Sequence, residues 1–126
     1  MNQLTAPVQQ ALTTDQVIDI TTIGRKSGQP RRIEIWFHNL AGRLYITGMP
    51  GRPRDWLANL LAQPAFTFHL KESTQADLSA RAIPIVEEGE RRAVLTAILQ
   101  KLGRTEEDVE RWVRESPLVE VVLEAM

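Results

Sequence analysis

The residues best suited to chemistry form a short turn, Gly24-Arg25-Lys26-Ser27-Gly28. Its two glycines permit positive φ angles and close approach of the backbone, so amide N–H groups can converge on an anion. Arg25 and Lys26 add positive charge, and Ser27 adds a hydroxyl donor. The triphosphate-binding loop is excluded, because that loop needs the pattern GxxxxGK[ST] before a helix and strands are expected on both sides here. The turn predicts an anion-binding site, with a solvated basic hairpin as the alternative.

Further arginines lie close to this turn in the sequence. Arg31 and Arg32 follow it on the next predicted strand, where alternation allows only one of them to join the turn and leaves open which. A second irregular segment, 48–54, has glycines that allow a flat ligand to lie against the backbone. Arg52 or Arg54 could reach an anion there, near the start of a helix. A plain strand-to-helix connection is the alternative for that segment.

The charge is distributed unevenly along the 126 residues, although the net charge is only −1. Residues 24–54 contain seven basic residues and one acid, whereas residues 87–126 contain ten acids and six bases. A concentrated positive field on a nearly neutral protein favours an anionic partner at one place. Nucleic acid is not expected as that partner, because aromatic residues interleave poorly with the basic ones.

The sequence gives less support to cysteine-based sites, metal sites and other kinds of functional site. The chain has no cysteine, which excludes disulfides, thiolate metal sites and cysteine nucleophiles. His38 and His69 are predicted on the outward faces of separate strands without a ligand-spaced partner, so no metal site is expected. Trp36 is predicted beside His38 on a polar face, where an indole can stack on a planar ligand. Trp56 and Trp112 lie at helical core positions and are predicted to be packing residues.

Alternation of apolar and polar residues predicts most of the strands. In the segment 31–40, Ile33, Ile35 and Phe37 are expected to face inward, opposite Trp36 and His38. Ala41–Gly42 predicts a tight turn that joins this strand to the next one as a hairpin. The predicted strands cover residues 16–23, 31–40, 43–48, 65–71, 77–86 and 118–124.

Helical periodicity appears over residues 55–63 and 87–102, with Gly103 ending the second helix. Thr105 together with Asp108 predicts the start of a short third helix. This order of elements indicates an α+β domain, most economically a partly open antiparallel barrel flanked by helices. Residues 1–14 are expected to be a weakly ordered segment or a short helix, before a single domain over 15–126.

No membrane or export segment is expected. The apolar runs are too short to span a bilayer. The first fourteen residues carry no charge and no apolar block, unlike a secretory signal. A cytoplasmic location is therefore expected.

Two segments, ITTIGRKSGQPRR and DWLANLLAQPAFTFHL, resemble the deazaflavin-dependent nitroreductase family. They carry the patterns T-x-G-R-K-S-G-x-x-R and W-x-x-N-L-x-x-x-P in the family's order. The resemblance implies a split β-barrel of the FMN-binding type, with about six mainly antiparallel strands and flanking helices. It also implies coenzyme F420, a deazaflavin with a phosphate and an oligoglutamate tail. The activity implied is hydride transfer to an electron-poor acceptor such as a quinone or a nitroaromatic compound, in which the coenzyme supplies the reactivity.

The resemblance also assigns roles by position. It places the phosphate and tail beside the turn and the ring against the second irregular segment, and no residue is assigned to catalysis. The residues implied around the phosphate and tail are Arg25, Lys26, Ser27 and Gly28, with Arg31 or Arg32. Those implied against the ring are Thr47, Gly48, Met49 and Gly51. Trp56 and Asn59 match the family's helix, where Asn59 could hydrogen-bond within the site and Trp56 shapes it. Arg54 is a further candidate for binding the coenzyme, from its place in the second irregular segment. Tyr45 and Trp36 are the candidates beside the acceptor.

Two alternatives to this oxidoreductase remain open. The chain could be an FMN-binding split-barrel protein, or a non-catalytic module that binds a coenzyme. In each case the expected partners are small molecules. The apolar last strand is also compatible with a homodimer, since barrels of this type often pair.

Overall fold

The computed structural model of the chain describes residues 4–124. Seven antiparallel strands form one curled sheet in the order β2-β1-β5-β6-β7-β4-β3. The strands are β1 Val17–Ile23, β2 Pro30–Trp36, β3 His38–Leu40, β4 Arg43–Thr47, β5 Ala65–Leu70, β6 Ala76–Pro84 and β7 Leu118–Leu123. The two ends of the sheet are adjacent in the chain, since β2 leads to β3 through Phe37 alone. The prediction of a partly open antiparallel barrel in the α+β class is confirmed, with seven strands instead of about six.

Four helices accompany the sheet: α1 Ala6–Thr14, α2 Asp55–Ala62, α3 Glu88–Lys101 and α4 Val109–Glu115. α1 begins at Thr5, whose hydroxyl accepts a hydrogen bond from the Val8 N–H. It buries Val8, Ala11 and Leu12 in the same apolar cluster as the barrel strands. α2 connects β4 to β5 and packs against β1, so it lies beside the end of the β1–β2 hairpin.

The apolar residues form two clusters. One fills the barrel, where the rings of Phe37 and Phe68 meet edge to face with centroids 5.2 Å apart. The second lies beneath α3 and α4 and includes Tyr45, Leu95 and Trp112. Burial of these side chains stabilises the fold by about 1.5–3 kcal/mol for each large apolar residue.

The predicted strand over residues 31–40 is interrupted. Phe37 donates its backbone N–H to the Gln16 carbonyl at 3.0 Å, which extends the β1–β2 register by one residue, and from His38 onward the chain pairs with β4 instead. The interruption shifts the alternation of side chains, so the consecutive residues Phe37 and His38 are both buried. The prediction that His38 shares an outward face with Trp36 is therefore wrong. The hairpin through Ala41–Gly42 is confirmed for β3 and β4.

The outward placement predicted for His69 is also wrong. Its side chain is buried, and both ring nitrogens have partners. Nε2 lies 2.7 Å from the Thr21 hydroxyl, and Nδ1 lies 2.7 Å from an Asp77 carboxylate oxygen. These bonds satisfy the imidazole on a strand face that local alternation marked as solvent-exposed.

The start of α4 also differs from the prediction, which placed Thr105 at the cap. The cap is Asp108, whose carboxylate accepts hydrogen bonds from the N–H groups of Glu110 and Arg111 at 3.1 and 3.3 Å. The short reach of an aspartate suits the first free N–H groups of a helix, and Thr105 lies three residues too early to contact them.

Within residues 4–124, none of the helices is both long enough and apolar enough to cross a bilayer.

Candidate functional site

The turn between β1 and β2 is held by its own backbone. Gly24 donates its N–H to the Gln29 carbonyl, and Gly28 donates to the Gly24 carbonyl, both at 2.8 Å. Gly28 has a φ of +72°, which favours glycine. A Cβ on Gly24 would lie 2.6 Å from the Ser27 hydroxyl and 3.3 Å from the Gln29 carbonyl oxygen, so a side chain there would have to displace the Ser27 hydroxyl.

Asn59 of α2 ties this turn to the helix. Its side chain is 3% exposed, and its Oδ1 accepts the Arg25 backbone N–H at 3.0 Å and the Arg25 guanidinium at 3.1 Å. Its Nδ2 donates to the Thr22 hydroxyl at 3.2 Å. The Arg25 guanidinium also lies 3.5 Å from a carboxylate oxygen of Asp55. Arg25 is thus partly occupied in holding the turn against α2.

Two cations of the turn region have no ion-pair partner within the described part of the chain, Lys26 and Arg31. The backbone N–H groups of Lys26 and Ser27 likewise have no acceptor there. A cavity of about 430 Å³ opens beside these groups. Its walls are Thr22, Gly24, Arg25, Lys26, Ser27, Arg31, Ile33, Asp55, Trp56 and Asn59. We call it the turn cavity.

The strand β2 separates the two arginines that follow the turn. Arg31 lines the turn cavity, whereas Arg32 points to the opposite face and donates to Asp19 Oδ2 at 2.9 Å. Gly28 shapes the turn but does not line this cavity.

A second cavity of about 790 Å³, the ring cavity, adjoins the first and shares Ile33 and Trp56 with it. All three tryptophans of the chain line it. Ile33, predicted to face inward, is 37% exposed and lies along this cleft. The lining residues are Ile33, Glu34, Ile35, Trp36, His38, Thr47, Gly48, Met49, Arg52, Arg54, Trp56, Leu102, Arg104 and Trp112.

The segment after β4 contributes backbone and charge to the ring cavity. A Cβ on Gly48 would lie 2.7 Å from the Arg54 guanidinium, so Arg54 packs directly against the Gly48 backbone. Burial, together with the nearby Arg52, lowers the pKa of Arg54. Gly51 does not line this cavity and lies against α4, where a Cβ on Gly51 would be 2.9 Å from the Arg111 guanidinium.

The C-terminal part of the chain supplies a wall that local patterns did not reveal. Arg104 lies over the Trp112 ring, 5.7 Å from its centroid. Glu107 accepts hydrogen bonds from both, at 3.0 Å from the indole N–H and 2.8 Å from the guanidinium, and these bonds lower the pKa of Glu107. Helical spacing indicated only a packing role for Trp112, and the long sequence separation hid its position in the cleft.

The two residues predicted beside the acceptor lie in different places. Trp36 is 49% exposed at the ring cavity. Tyr45 is buried in the cluster beneath α3 and α4, lines neither cavity, and has its pKa raised by burial. His38, by contrast, lines the ring cavity, and burial with a smaller effect of Lys101 lowers its pKa to about 4. Over residues 4–124, no three histidine, aspartate or glutamate side chains are grouped to hold a metal ion.

Comparison with known proteins gives this geometry a context. A family model described as F420H(2)-dependent quinone reductase matches residues 1–123. The chain belongs to the F420H(2)-dependent quinone reductase family. Membership confirms the resemblance to deazaflavin-dependent reductases that the turn and α2 motifs indicated, and it supports an F420-dependent oxidoreductase in general terms. No curated protein matches the chain significantly in sequence.

Solved structures share the fold of this F420H(2)-dependent quinone reductase family member. A conserved hypothetical protein from Mycobacterium tuberculosis superposes with a TM-score of 0.74 at 17% identity, over 98% of this chain and 81% of the other. An FAD-binding protein from Mesorhizobium loti gives 0.65 at 17% identity, over 92% and 86%. A protein described as a domain-swapped dimer gives 0.57 at 22% identity, over 86% and 81%. The split-barrel prediction is confirmed by such neighbours.

Proposed function

We propose that this chain binds coenzyme F420 across the two cavities and passes hydride from its reduced form to a quinone-like acceptor. The observation that carries the proposal is that the two cavities adjoin. A cavity with unpaired cations shares the walls formed by Ile33 and Trp56 with a wider cavity lined by three tryptophans. Coenzyme F420 is divided in the same way, because it joins an anionic tail to a planar ring.

The turn cavity suits the anionic part of the coenzyme. Lys26 and Arg31 offer positive charge that no described carboxylate neutralises. The free N–H groups of Lys26 and Ser27 add donors of the kind that bind phosphate or carboxylate oxygens. Asn59 holds the turn in position before the ligand arrives, which lowers the entropy lost on binding.

The ring cavity suits the planar part. Arg54, packed against the Gly48 backbone, offers positive charge at one wall, and Trp56 and Trp112 supply apolar walls that exclude water. When bound, the reduced deazaflavin supplies the hydride, so the protein needs to contribute orientation and charge. The half-exposed indole of Trp36 offers a surface on which a flat acceptor can stack.

Acceptor reduction tests the activity directly. Purified protein, reduced F420 and a panel of quinones and nitroaromatic compounds should give oxidation of the coenzyme that depends on both protein and acceptor. Absence of oxidation with every acceptor, despite F420 binding, would leave a coenzyme-binding module and overturn the reductase.

FMN is the second candidate ligand, because a structure with this fold is described as an FAD-binding protein. Parallel titrations of the apo-protein with F420 and FMN separate the two. We expect F420 to bind more tightly, since its longer anionic tail can reach both Lys26 and Arg31. Binding of FMN alone would keep the fold and move the protein to the flavin branch.

Lys26→Ala should weaken F420 binding by about tenfold, because a charge-assisted contact contributes about 1.5–3 kcal/mol before solvent screening reduces it. The melting temperature should stay nearly unchanged, since Lys26 is exposed and unpaired. Arg114→Ala, which removes an exposed positive charge from α4, is the matched control and should bind F420 as the wild type does. Equal affinity of the Lys26→Ala and Arg114→Ala proteins would contradict the assignment of the turn.

Arg25→Ala should behave differently. It removes positive charge from the turn cavity but also the guanidinium contacts to Asn59 and Asp55. We therefore expect weaker binding together with a small loss of stability, which isothermal titration and urea unfolding can separate.

Assembly into a homodimer stays a proposal. Ile83 and Val122 are 46% and 39% exposed on the neighbouring strands β6 and β7, and a similar structure is described as a domain-swapped dimer. Light scattering with size-exclusion chromatography measures the mass in solution.

A further inference from the structure

His38 is a buried polar side chain without a partner in the described chain. Its side chain is 4% exposed, and its imidazole forms no hydrogen bond with any residue from 4 to 124. Within the described residues, the fully buried side-chain nitrogen and oxygen atoms without a partner are limited to Ser116 Oγ, so the ring nitrogens of His38 are not sealed in the core. They keep access to open space although the residue as a whole is buried.

His69 shows what a purely structural buried histidine looks like in the same barrel. It is also almost fully buried, but each of its ring nitrogens has a partner at 2.7 Å. His38 differs in its surroundings, since it lines the ring cavity and His69 does not. The unsatisfied ring therefore faces the space in which a ligand would lie.

The charge state of His38 decides what it can offer. Burial and the Lys101 ammonium, which donates to the neighbouring Asn39 carbonyl, keep the imidazole neutral near pH 7 by lowering its pKa to about 4. The other ionisable groups around this ring are Tyr45 on β4 and the cavity residues Glu34, Arg52, Arg54 and Arg104. A neutral imidazole has one N–H donor and one acceptor nitrogen.

We propose that His38 donates a hydrogen bond from its neutral ring to a carbonyl oxygen of the planar ligand in the ring cavity. The inference rests on the proposed function for the identity of that ligand. Both a deazaflavin ring and a quinone acceptor carry carbonyl oxygens, so either of these ligands could accept the hydrogen bond from His38. A fixed neutral donor there orients the ligand and, for a quinone, stabilises negative charge as it develops on the oxygen.

The chain has two histidines, which makes the direct test simple. Protein labelled with ¹⁵N-histidine is observed by NMR alone, with oxidised F420, with FMN, with menadione, and with F420 and menadione together. We expect the His38 ring signals to move on ligand addition while those of His69 stay in place. A shift with F420 alone assigns the coenzyme as the source, and a shift that needs menadione assigns the acceptor.

Substitution supplies a second readout. His38→Phe should weaken binding of the ligand that moved the NMR signals by about fivefold to tenfold, the value of one lost hydrogen bond. Its melting temperature should be nearly unchanged, because the substitution removes no hydrogen bond to another described residue. His38→Gln, which keeps an N–H donor, should recover part of the affinity. A histidine with only a structural role would give the opposite pattern, lower stability with unchanged affinity.

The outcomes separate this inference from the proposed function. If F420 binds through Lys26 but the His38 signals do not move with any ligand, the inference fails and the proposed function stands. If F420 does not bind but FMN or menadione moves the His38 signals, the proposed function fails and the inference stands. No binding of any ligand overturns both.

Discussion

At the scale of single residues, burial of His38 ties the stability of the protein to pH. Its pKa is about 4 in the folded protein against 6.5 for an unperturbed histidine, because burial and Lys101 disfavour the imidazolium. Between pH 6.5 and pH 4, His38 is therefore protonated in the unfolded chain but stays neutral in the folded protein. The free energy of unfolding therefore falls as the pH is lowered through this range, by about 3 kcal/mol in total.

We expect a loss of about 2 kcal/mol between roughly pH 7 and pH 5 in the wild type, and a smaller loss in His38→Gln. Urea unfolding at the two pH values measures both. Carboxylates whose pKa is lowered by ion pairs or backbone N–H groups, such as Asp19 and Glu87, lose their contribution only at more acidic pH, below the ordinary pKa values of 3.8 for aspartate and 4.5 for glutamate. Equal losses in both proteins would show that another group titrates in this window.

At the scale of elements, the cap of α4 is decided by Asp108. Asp108→Ala removes the acceptor of the Glu110 and Arg111 N–H groups and should lower the free energy of unfolding by about 1 kcal/mol. Thr105→Ala, the matched control, should change it by less than about 0.5 kcal/mol. Chemical denaturation compares the two. A larger effect at Thr105 would return the cap to the place that the sequence pattern indicated.

The elements also show which interactions a sequence reveals. The β1–β2 hairpin and α2 were predictable because their signals are local: alternation, a turn with two glycines, and the proline after α2. The interruption at Phe37 was not, because it marks the point where the chain stops pairing with β1 and begins to pair with β4. A strand pattern that continues through residue 40 contains no trace of that change of partner.

The site was predictable to the same extent. Lys26, Ser27 and Arg31 surround one cavity because the turn and its strand are consecutive in the chain. His38 was misplaced, since one irregular residue reverses the face of everything after it. Arg104 and Trp112 were missed as cleft residues, because helices α3 and α4 reach the cleft only through tertiary packing.

At the scale of the whole molecule, three basic residues of the segment 24–54, Arg25, Lys26 and Arg31, lie together in the turn cavity at one end of the cleft. Affinity for F420 should therefore fall as salt rises from about 0.05 to 0.5 M, because the Debye length shrinks from roughly 14 to 4 Å. A deazaflavin without phosphate and tail should bind with little dependence on salt. Titrations of both ligands at several salt concentrations provide the comparison, and parallel slopes would show that the turn cavity does not hold the tail.

The gathering of all three tryptophans around one cavity has an optical consequence. Every indole that can fluoresce lies beside the space where a conjugated ligand would sit, so an absorbing ring placed there should quench most of the intrinsic emission. The indoles also differ in environment, since Trp36 is 49% exposed and Trp112 only 3%. Emission from Trp36 should lie at longer wavelength than that from Trp112. The protein thus carries its own spectroscopic probe, and occupancy of the cleft can be followed without attaching a dye.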